Sequence, residues 1–403
     1  MRVGSPRRMI MQKWLLPEYI EDLLPGEAAR VERLRRRILD LFFAHGYELV
    51  VPPMLEYLES LLTGTGHDLD LKTFKLVDQL SGRLLGLRAD ITPQVARIDA
   101  HLLNRKGVTR LCYAGTVLHT QPSGLLRTRE PMQIGAEIYG HAGLESDIEI
   151  QTLMLRALQA TGVNGVHLDI GHVSVFRALI TRAGVIAQQE AELFQVLQAK
   201  DVPALRELSN GLDVATRDAL LLLPELYGGT EVLATARVRL PDYPELTVCL
   251  DALASIGKEL SGEVKELCFD LAELRGYHYH SGVVFAAYAG NRPDAIARGG
   301  RYDEVGRAFG RARPATGFTM DLRELAQMAI EEAGPQRVLA PYLPTDASLQ
   351  AEVARLRTGG AIVVSDLPGH EANQAELYCS QRLVLKAGTW KLEPFASGQG
   401  NRK

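Results

Sequence analysis

Two segments, RLCYA at Arg110–Ala114 and MQIGAEIY at Met132–Tyr139, have the pattern of β-strands, and a loop across Gln121–Thr128 joins them. A connection of this length favours an antiparallel pair over a βαβ crossover. We therefore predict an α+β fold, in which an antiparallel sheet is flanked by helices.

The second of these strands carries polar groups on one face. Gln133 and Glu137 are four residues apart, so both side chains point to the same side of a strand. Buried amide and carboxyl groups need hydrogen-bond partners. Together with Asp90 and the guanidinium of Arg275 they suit a zwitterion, since carboxylates bind an ammonium group and arginine binds a carboxylate. Ordinary internal salt bridges are the alternative that this pattern leaves open.

Helical periodicity predicts the elements around this pair. The first clear helix covers Glu27–Phe43 and carries five arginines, which we interpret as a solvated face, with a basic docking surface as the alternative. Ser146 and Glu149 have the spacing of a capping box. We expect a core domain at 1–335 with a helical insertion at about 173–270, and a small C-terminal α/β domain at 336–403, in which the tail after Trp390 has no pattern.

Composition excludes several classes of protein. The net charge of −4 disfavours nucleic acid as a main partner. No apolar run reaches the roughly 18 residues of a membrane span. The four cysteines are far apart and form no CxxC pair, which argues against a zinc site or a disulfide framework and favours a reducing cytoplasm.

Two local patterns leave alternatives open. His278 and His280 form an HxH pair, but no third ligand is evident, so we expect no metal. Five arginines lie between Arg298 and Arg313, where a solvated loop is favoured over an anion site.

The ordered motifs resemble the catalytic core of class II aminoacyl-tRNA synthetases, and of histidyl-tRNA synthetase most closely, over roughly residues 15–330. The resemblance rests on three motifs. The segment from Gly46-Tyr47 to Pro52-Pro53 is similar to the first motif, which forms the dimer interface in that family. The strand pair above occupies the place of the second motif, and GFTMDL at Gly317–Leu322 that of the third. The segments at Leu87–Pro93, Leu274–Gly282 and Gly299–Asp303 are similar to the amino-acid-binding turn and the two histidine-specific motifs.

The resemblance implies a histidine-binding pocket. Asp90, Thr92 and Gln133 would hold the α-ammonium group, and Arg275 the carboxylate. Glu137 would face the imidazole ring, and Tyr279 would lie beside it, because the tyrosine expected next to it is replaced by His280.

The phosphate side departs from the synthetase pattern. His119 stands in place of an arginine that binds the α-phosphate of ATP, Gln121 in place of a glutamate, and Glu324 in place of the last arginine. A charge-assisted bond to phosphate contributes about 1.5–3 kcal/mol, so losing two weakens ATP use by several orders of magnitude. A shifted alignment in which Arg323 or Arg127 substitutes is the alternative.

A kept histidine pocket without ATP chemistry is similar to the regulatory subunits of ATP phosphoribosyltransferase. That resemblance implies a non-catalytic chain without cofactor that activates a short catalytic subunit and carries feedback inhibition by L-histidine, as homodimers within a hetero-oligomer. The competing interpretations are a divergent ATP-dependent amino-acid-activating enzyme and a scaffold that binds no small molecule.

Overall fold

The computed structural model describes residues 15–64, 67–122, 124, 127–277, 279–290, 292–329 and 334–395. The chain divides into two compact units, Met1–Ile330 and Glu331–Lys403. The sequence-based boundary after residue 335 falls slightly further along the chain.

The first unit contains twelve strands. They are β1 Glu48–Leu49, β2 Leu55–Tyr57, β3 Phe74–Val77, β4 Leu84–Leu87, β5 Thr109–Thr116, β6 Met132–Tyr139, β7 His167–His172, β8 Tyr227–Gly228, β9 Glu266–Asp270, β10 Val283–Tyr288, β11 Ala297–Arg301 and β12 Ala315–Asp321, counted over the described residues.

Its helices flank these strands. They are α1 Pro25–Ala44, α2 Leu58–Leu61, α3 His67–Lys72, α4 Thr92–Arg97 with a π-helical continuation over Ile98–Leu103, α5 Leu144–Ala160, α6 Ser174–Arg182, α7 Ala187–Gln198, α8 Val202–Leu208, α9 Val214–Leu222, α10 Glu231–Arg239, α11 Pro244–Leu260 and α12 Leu322–Met328. The sequence pattern predicts this last helix from about Asp321 to Ala333, and the predicted end lies outside the described residues.

Nine strands form one large sheet in the order β1-β5-β6-β12-β11-β10-β7-β9-β8. Neighbours are antiparallel except for β1 with β5 and β7 with β9, which are parallel. The predicted pair β5–β6 lies inside this sheet and is antiparallel. The expected α+β fold is confirmed, with a mixed but mainly antiparallel sheet. Strands β2, β4 and β3 form a separate small sheet.

The two faces of the large sheet have different chemistry. On β6, Ile134, Ala136 and Ile138 point into the main hydrophobic core, which α1 and α5 cover. Phe42 of α1 packs edge-on against Phe318 of β12, with ring centroids 5.9 Å apart. The alternate residues of the same strands point the other way, so the sheet presents its polar positions on one side.

Most arginines of α1 bind the protein itself. Arg35 and Arg36 both bind the carboxylate of Glu32, at 2.7 Å each. Arg30 and Arg37 donate to the carbonyls of Ala326 and Ala160. These bonds argue for a structural and solvated face rather than a docking surface.

The predicted capping box at the start of α5 is wrong. The helix begins at Leu144, and Ser146 lies inside its first turn, where its hydroxyl donates to the carbonyl of Gly143. Glu149 instead binds Arg110 of β5 at 2.7 Å. A strand from elsewhere in the chain has taken the carboxylate that a local motif would have used.

Helices α6–α11 lie between Ser174 and Leu260, within the segment at about 173–270 where we predict a helical insertion, and the short strand β8 interrupts them. Their apolar faces join the main core, for example through Leu179, Leu220 and Leu253.

The second unit contains α13, Ala347–Thr358, and four strands, β13 Arg337–Pro341, β14 Ile362–Asp366, β15 Gln381–Lys386 and β16 Thr389–Pro394, in the order β14-β13-β15-β16. The small C-terminal α/β sheet was expected. Strand β16 was missed, because its alternation of apolar and polar residues is short. Its strand conformation depends on pairing with β15.

Among the described residues, no helix is both long and apolar enough to cross a membrane. All four cysteines carry free thiols.

Candidate functional site

A cavity of about 310 Å³ lies on the polar face of the large sheet. Small residues of neighbouring strands form its floor, among them Gly317, Gly300 and Ala286. Gly317 lies directly opposite Glu137 in the β12–β6 pairing. A β-carbon at Gly317 would overlap the carboxyl group of Glu137, so the glycine makes room for that side chain.

Glu137 is the most deeply buried acid of this cavity, with 1% of its surface exposed. The hydroxyl of Tyr302 donates a hydrogen bond to it. Burial raises the pKa of Glu137 to about 8. Its carboxyl group is therefore mostly protonated at neutral pH and can both donate and accept a hydrogen bond.

Asp90, Thr92 and Gln133 lie together near the start of α4. Asp90 Oδ1 accepts from the backbone N–H of Thr92 at 3.0 Å, and Gln133 Oε1 accepts from that of Ile91, also at 3.0 Å. Among the described residues, no hydrogen bond is formed by the second oxygen of Asp90 or by the amide nitrogen of Gln133, so both are available to a ligand. Asp90 and Thr92 line the first cavity, whereas Gln133 lines a neighbouring cavity of about 230 Å³ to which Asp90 also belongs.

Arg275 lines the first cavity but is bound to the protein. Its guanidinium contacts Glu273 at 2.7 Å and donates to the hydroxyl of Tyr288 at 2.8 Å. About 45% of its side chain is exposed. These two partners fix the orientation of the guanidinium before any ligand binds.

Tyr279 and His280 form an aromatic wall of the first cavity. The ring of Tyr279 lies 5.1 Å from that of Tyr302 and 5.4 Å from that of His280, centroid to centroid. The Tyr279 hydroxyl and His280 Nδ1 are buried without a hydrogen-bond partner in the described part of the chain. A ligand ring that carries nitrogen atoms could stack on this wall and form hydrogen bonds with these two polar atoms.

His280, one half of the HxH pair, is buried, and burial lowers the pKa of its imidazole to about 4. His278, the other half, lies outside the described residues. Over the residues described, no cluster of three or more potential ligands could hold a metal ion.

His119 lines the second cavity as a neutral group. Because a carbonyl only accepts, the 2.9 Å contact with Ala89 makes Nε2 the protonated nitrogen and Nδ1 an acceptor. Burial lowers the pKa of the ring. Nδ1 is buried with no partner among the described atoms. The cavity thus has a hydrogen-bond acceptor at this position, where a phosphate would require a donor.

Glu324 lies at the other end of the second cavity and forms an ion pair with Arg127, at 3.0 Å. Arg323, the other arginine that a shifted alignment would use, is buried and binds Glu21 at 2.8 Å. Both guanidiniums therefore have carboxylate partners within the chain, which weakens the shifted-alignment alternative. Gln121 is exposed and lines neither cavity.

Several groups of the site were missed or left unassigned by the sequence analysis. Tyr302, Glu273 and Tyr288 bind predicted residues, and Arg298 lines both cavities. The only signal for them was that Tyr302 and Arg298 lie in or beside the glycine-rich segment at 299–303.

Family comparisons match both units. Residues 19–325 match the family described as "Histidyl-tRNA synthetase", and residues 335–393 match the "ATP phosphoribosyltransferase subunit HisZ C-terminal domain". The ATP phosphoribosyltransferase regulatory subunit of Nitrosospira multiformis is 59% identical over 388 residues, which cover 95% of this chain and 99% of that protein. The chain belongs to the family of ATP phosphoribosyltransferase regulatory subunits.

Solved structures agree with this assignment. An ATP phosphoribosyltransferase regulatory subunit/histidyl-tRNA synthetase from Bacillus halodurans superposes with a TM-score of 0.80 at 27% identity, covering 90% of this chain and 96% of that one. Histidyl-tRNA synthetase from Nostoc, at 17% identity and a TM-score of 0.76, covers 94% of each chain and supports the fold alone. The expected family, the class II synthetase-like core and the regulatory role in histidine biosynthesis are confirmed.

Proposed function

We propose that this chain binds L-histidine in the first cavity and transmits its presence to a short-form catalytic subunit of ATP phosphoribosyltransferase. The observation that carries the proposal is that five of the six predicted histidine-binding residues line one cavity, with the sixth, Gln133, in the cavity that adjoins it. The chain acts in the cytoplasm, as a homodimer within a hetero-oligomer, without a cofactor.

The chemistry of the first cavity matches the parts of histidine. Asp90 supplies a negative charge for the ammonium group, and the arginines that line the cavity, Arg275 and Arg298, supply positive charge for the carboxylate. The carboxyl group of Glu137 can form a hydrogen bond with an imidazole nitrogen. The aromatic wall at Tyr279 offers a flat apolar surface to the ring.

The second cavity supports a regulatory role over an amino-acid-activating one. His119 presents an acceptor, and the Arg127–Glu324 pair neutralises the cation that would otherwise meet a phosphate. A triphosphate in this cavity would have to break that pair and approach the carboxylate of Glu324, which costs free energy by repulsion.

Feedback inhibition follows from linkage. If histidine binds more tightly to the inhibited arrangement of the complex, it shifts the complex toward that arrangement by a coupling free energy of typically about 1–3 kcal/mol. By reciprocity, the catalytic subunit changes the affinity of this chain for histidine by the same factor.

The test is co-purification with the short catalytic subunit, followed by phosphoribosyl transfer assays with and without this chain and histidine. We expect activation by the chain and loss of that activation in millimolar histidine. Asp90→Asn should weaken inhibition at least about tenfold while leaving activation intact, because it removes one charge-assisted bond. Asp218→Asn, at an exposed carboxylate paired with its neighbour Arg217, is the matched control. Histidine-dependent pyrophosphate exchange by the isolated chain would contradict the proposal.

A further inference from the structure

The cation that binds the carboxylate of the amino-acid ligand can be identified from the arginines that the fold leaves unpaired. The glycine-rich region from Arg298 to Arg313 contains five arginines. Four of them are bound to partners in the protein. Arg301 binds Asp147 at 2.9 Å, Arg307 binds Glu304 at 2.7 Å, Arg311 donates to Asn104 at 2.7 Å, and Arg313 binds Asp99 at 2.8 Å.

Arg298 differs from these four. In the part of the chain that the structure describes, no ion pair or hydrogen bond holds its guanidinium. Its neighbours in register are Thr319 on β12 and Ala286 on β10, and both are small. At these two paired positions, therefore, no large side chain lies over Arg298. Its side chain lines both cavities and is accessible to solvent.

The charges around Arg298 favour an anion. Desolvation lowers its pKa most, and the positive charges of Arg275 and Arg127 lower it further, whereas Tyr288 and Asp294 act in the opposite direction. Arg275 already binds Glu273, and Arg127 already binds Glu324. Arg298 thus lacks the carboxylate partner that each of these two arginines has, and a bound carboxylate would supply that counter-charge.

Position relative to Asp90 narrows the class of anion. Asp90, Arg298 and Thr319 are shared by the two cavities, so a carboxylate and a guanidinium both line the junction. No ion pair between Asp90 and Arg298 is formed among the described side chains, and a ligand can contact both. A zwitterion centred at the junction would place its ammonium group at Asp90 and its side chain in the first cavity toward Glu137.

We infer that Arg298, rather than the already paired Arg275, is the residue that binds the α-carboxylate of the amino-acid ligand and selects for ligands that carry one. The inference rests on the proposed function, because it assumes that the first cavity binds histidine.

Calorimetric titration of the full chain with L-histidine and with histamine, which lacks the carboxylate, tests it. We expect the wild type to prefer L-histidine by about 10- to 100-fold, the size of one charge-assisted hydrogen bond. Arg298→Met should reduce that preference to within about threefold of equality by weakening L-histidine binding alone, and Arg298→Lys should retain part of it. Arg275→Met should keep the preference. Thermal unfolding of each variant shows that the fold is intact.

The outcomes separate the two proposals. A preference that survives in Arg298→Met and disappears in Arg275→Met overturns the inference and leaves the histidine pocket standing. Wild-type protein that binds neither compound at millimolar concentration overturns the pocket and the inference together. Binding with the expected preference but without any effect of histidine on the complex supports Arg298 and contradicts the regulatory proposal.

Discussion

The buried carboxyl group of Glu137 makes the stability of the fold depend on pH. Its pKa in the folded chain, about 8, lies above its ordinary value of 4.5. Between these two values the folded state binds more protons than the unfolded state, so this group's contribution to stability is complete below pH 4.5 and is lost as the pH rises toward 8.

Glu137→Gln should flatten that dependence, because an amide does not titrate. We expect the wild type to lose on the order of 3 kcal/mol more than the variant between pH 5 and pH 8. Urea unfolding at both pH values measures the difference. Glu263→Gln, at an exposed position, is the control and should follow the wild type. Equal pH dependence in wild type and Glu137→Gln would show that Glu137 is ionised in the fold.

Gly317 is the residue whose lack of a side chain makes the pocket possible. Gly317→Ala would force the β-carbon into the Glu137 carboxyl group, and we expect it to destabilise the fold by about 1–3 kcal/mol and to abolish detectable histidine binding. Thermal unfolding and calorimetry measure the two effects. Gly262→Ala has open space around its β-carbon and should change neither. Normal binding by Gly317→Ala would mean that Glu137 does not occupy this position.

At the scale of elements, the connection between β11 and β12 is fixed by ion pairs to helices. Arg313 and Asp99 are both almost completely buried, with 6% and 2% of their side chains exposed, and they join the start of β12 to the end of the α4 region. Breaking a buried pair leaves a carboxylate without a counter-charge, which is strongly destabilising.

Arg313→Met should therefore lower the free energy of unfolding by about 3–5 kcal/mol. Arg307→Met, in the exposed pair with Glu304 on the same connection, should cost less than about 1 kcal/mol. Denaturant titration of the two variants gives the comparison. Similar losses for both would indicate that the Arg313 pair is hydrated and contributes little.

At the scale of the whole molecule, an experiment can test whether histidine binding requires the second unit. The residues that line the two cavities all belong to the unit Met1–Ile330, and the second unit has its own core around Val338, Leu349 and Leu383. A unit with its own core is expected to fold alone.

A fragment of residues 1–330 should bind L-histidine within about twofold of the full chain. Calorimetry of the fragment, with full-length Asp90→Asn as the weak-binding reference, checks this. A folded fragment that does not bind would assign the second unit a direct part in the pocket.

The elements that could be predicted from sequence were those in which apolar residues recur at regular spacing over a long segment and form one face. Helix α1 and strand β6 occur where their apolar spacing indicated. The capping box failed because Glu149 has a better partner in Arg110, and β16 was missed because it is ordered by β15. These are effects of contacts between distant parts of the chain, which local patterns do not contain.

The sequence by itself determined which polar groups this protein carries, in which order they occur, and that His119 and Glu324 stand where the resemblance to synthetases implies arginines. Only the tertiary structure decided which charges remain available to a ligand. Arg127 meets Glu324 and Arg313 meets Asp99 across about 200 residues of chain, while Arg298 meets no such partner among the described residues. The reason is physical, since a charge is neutralised or exposed by what packs within a few ångströms of it, and packing at that range is set by the fold.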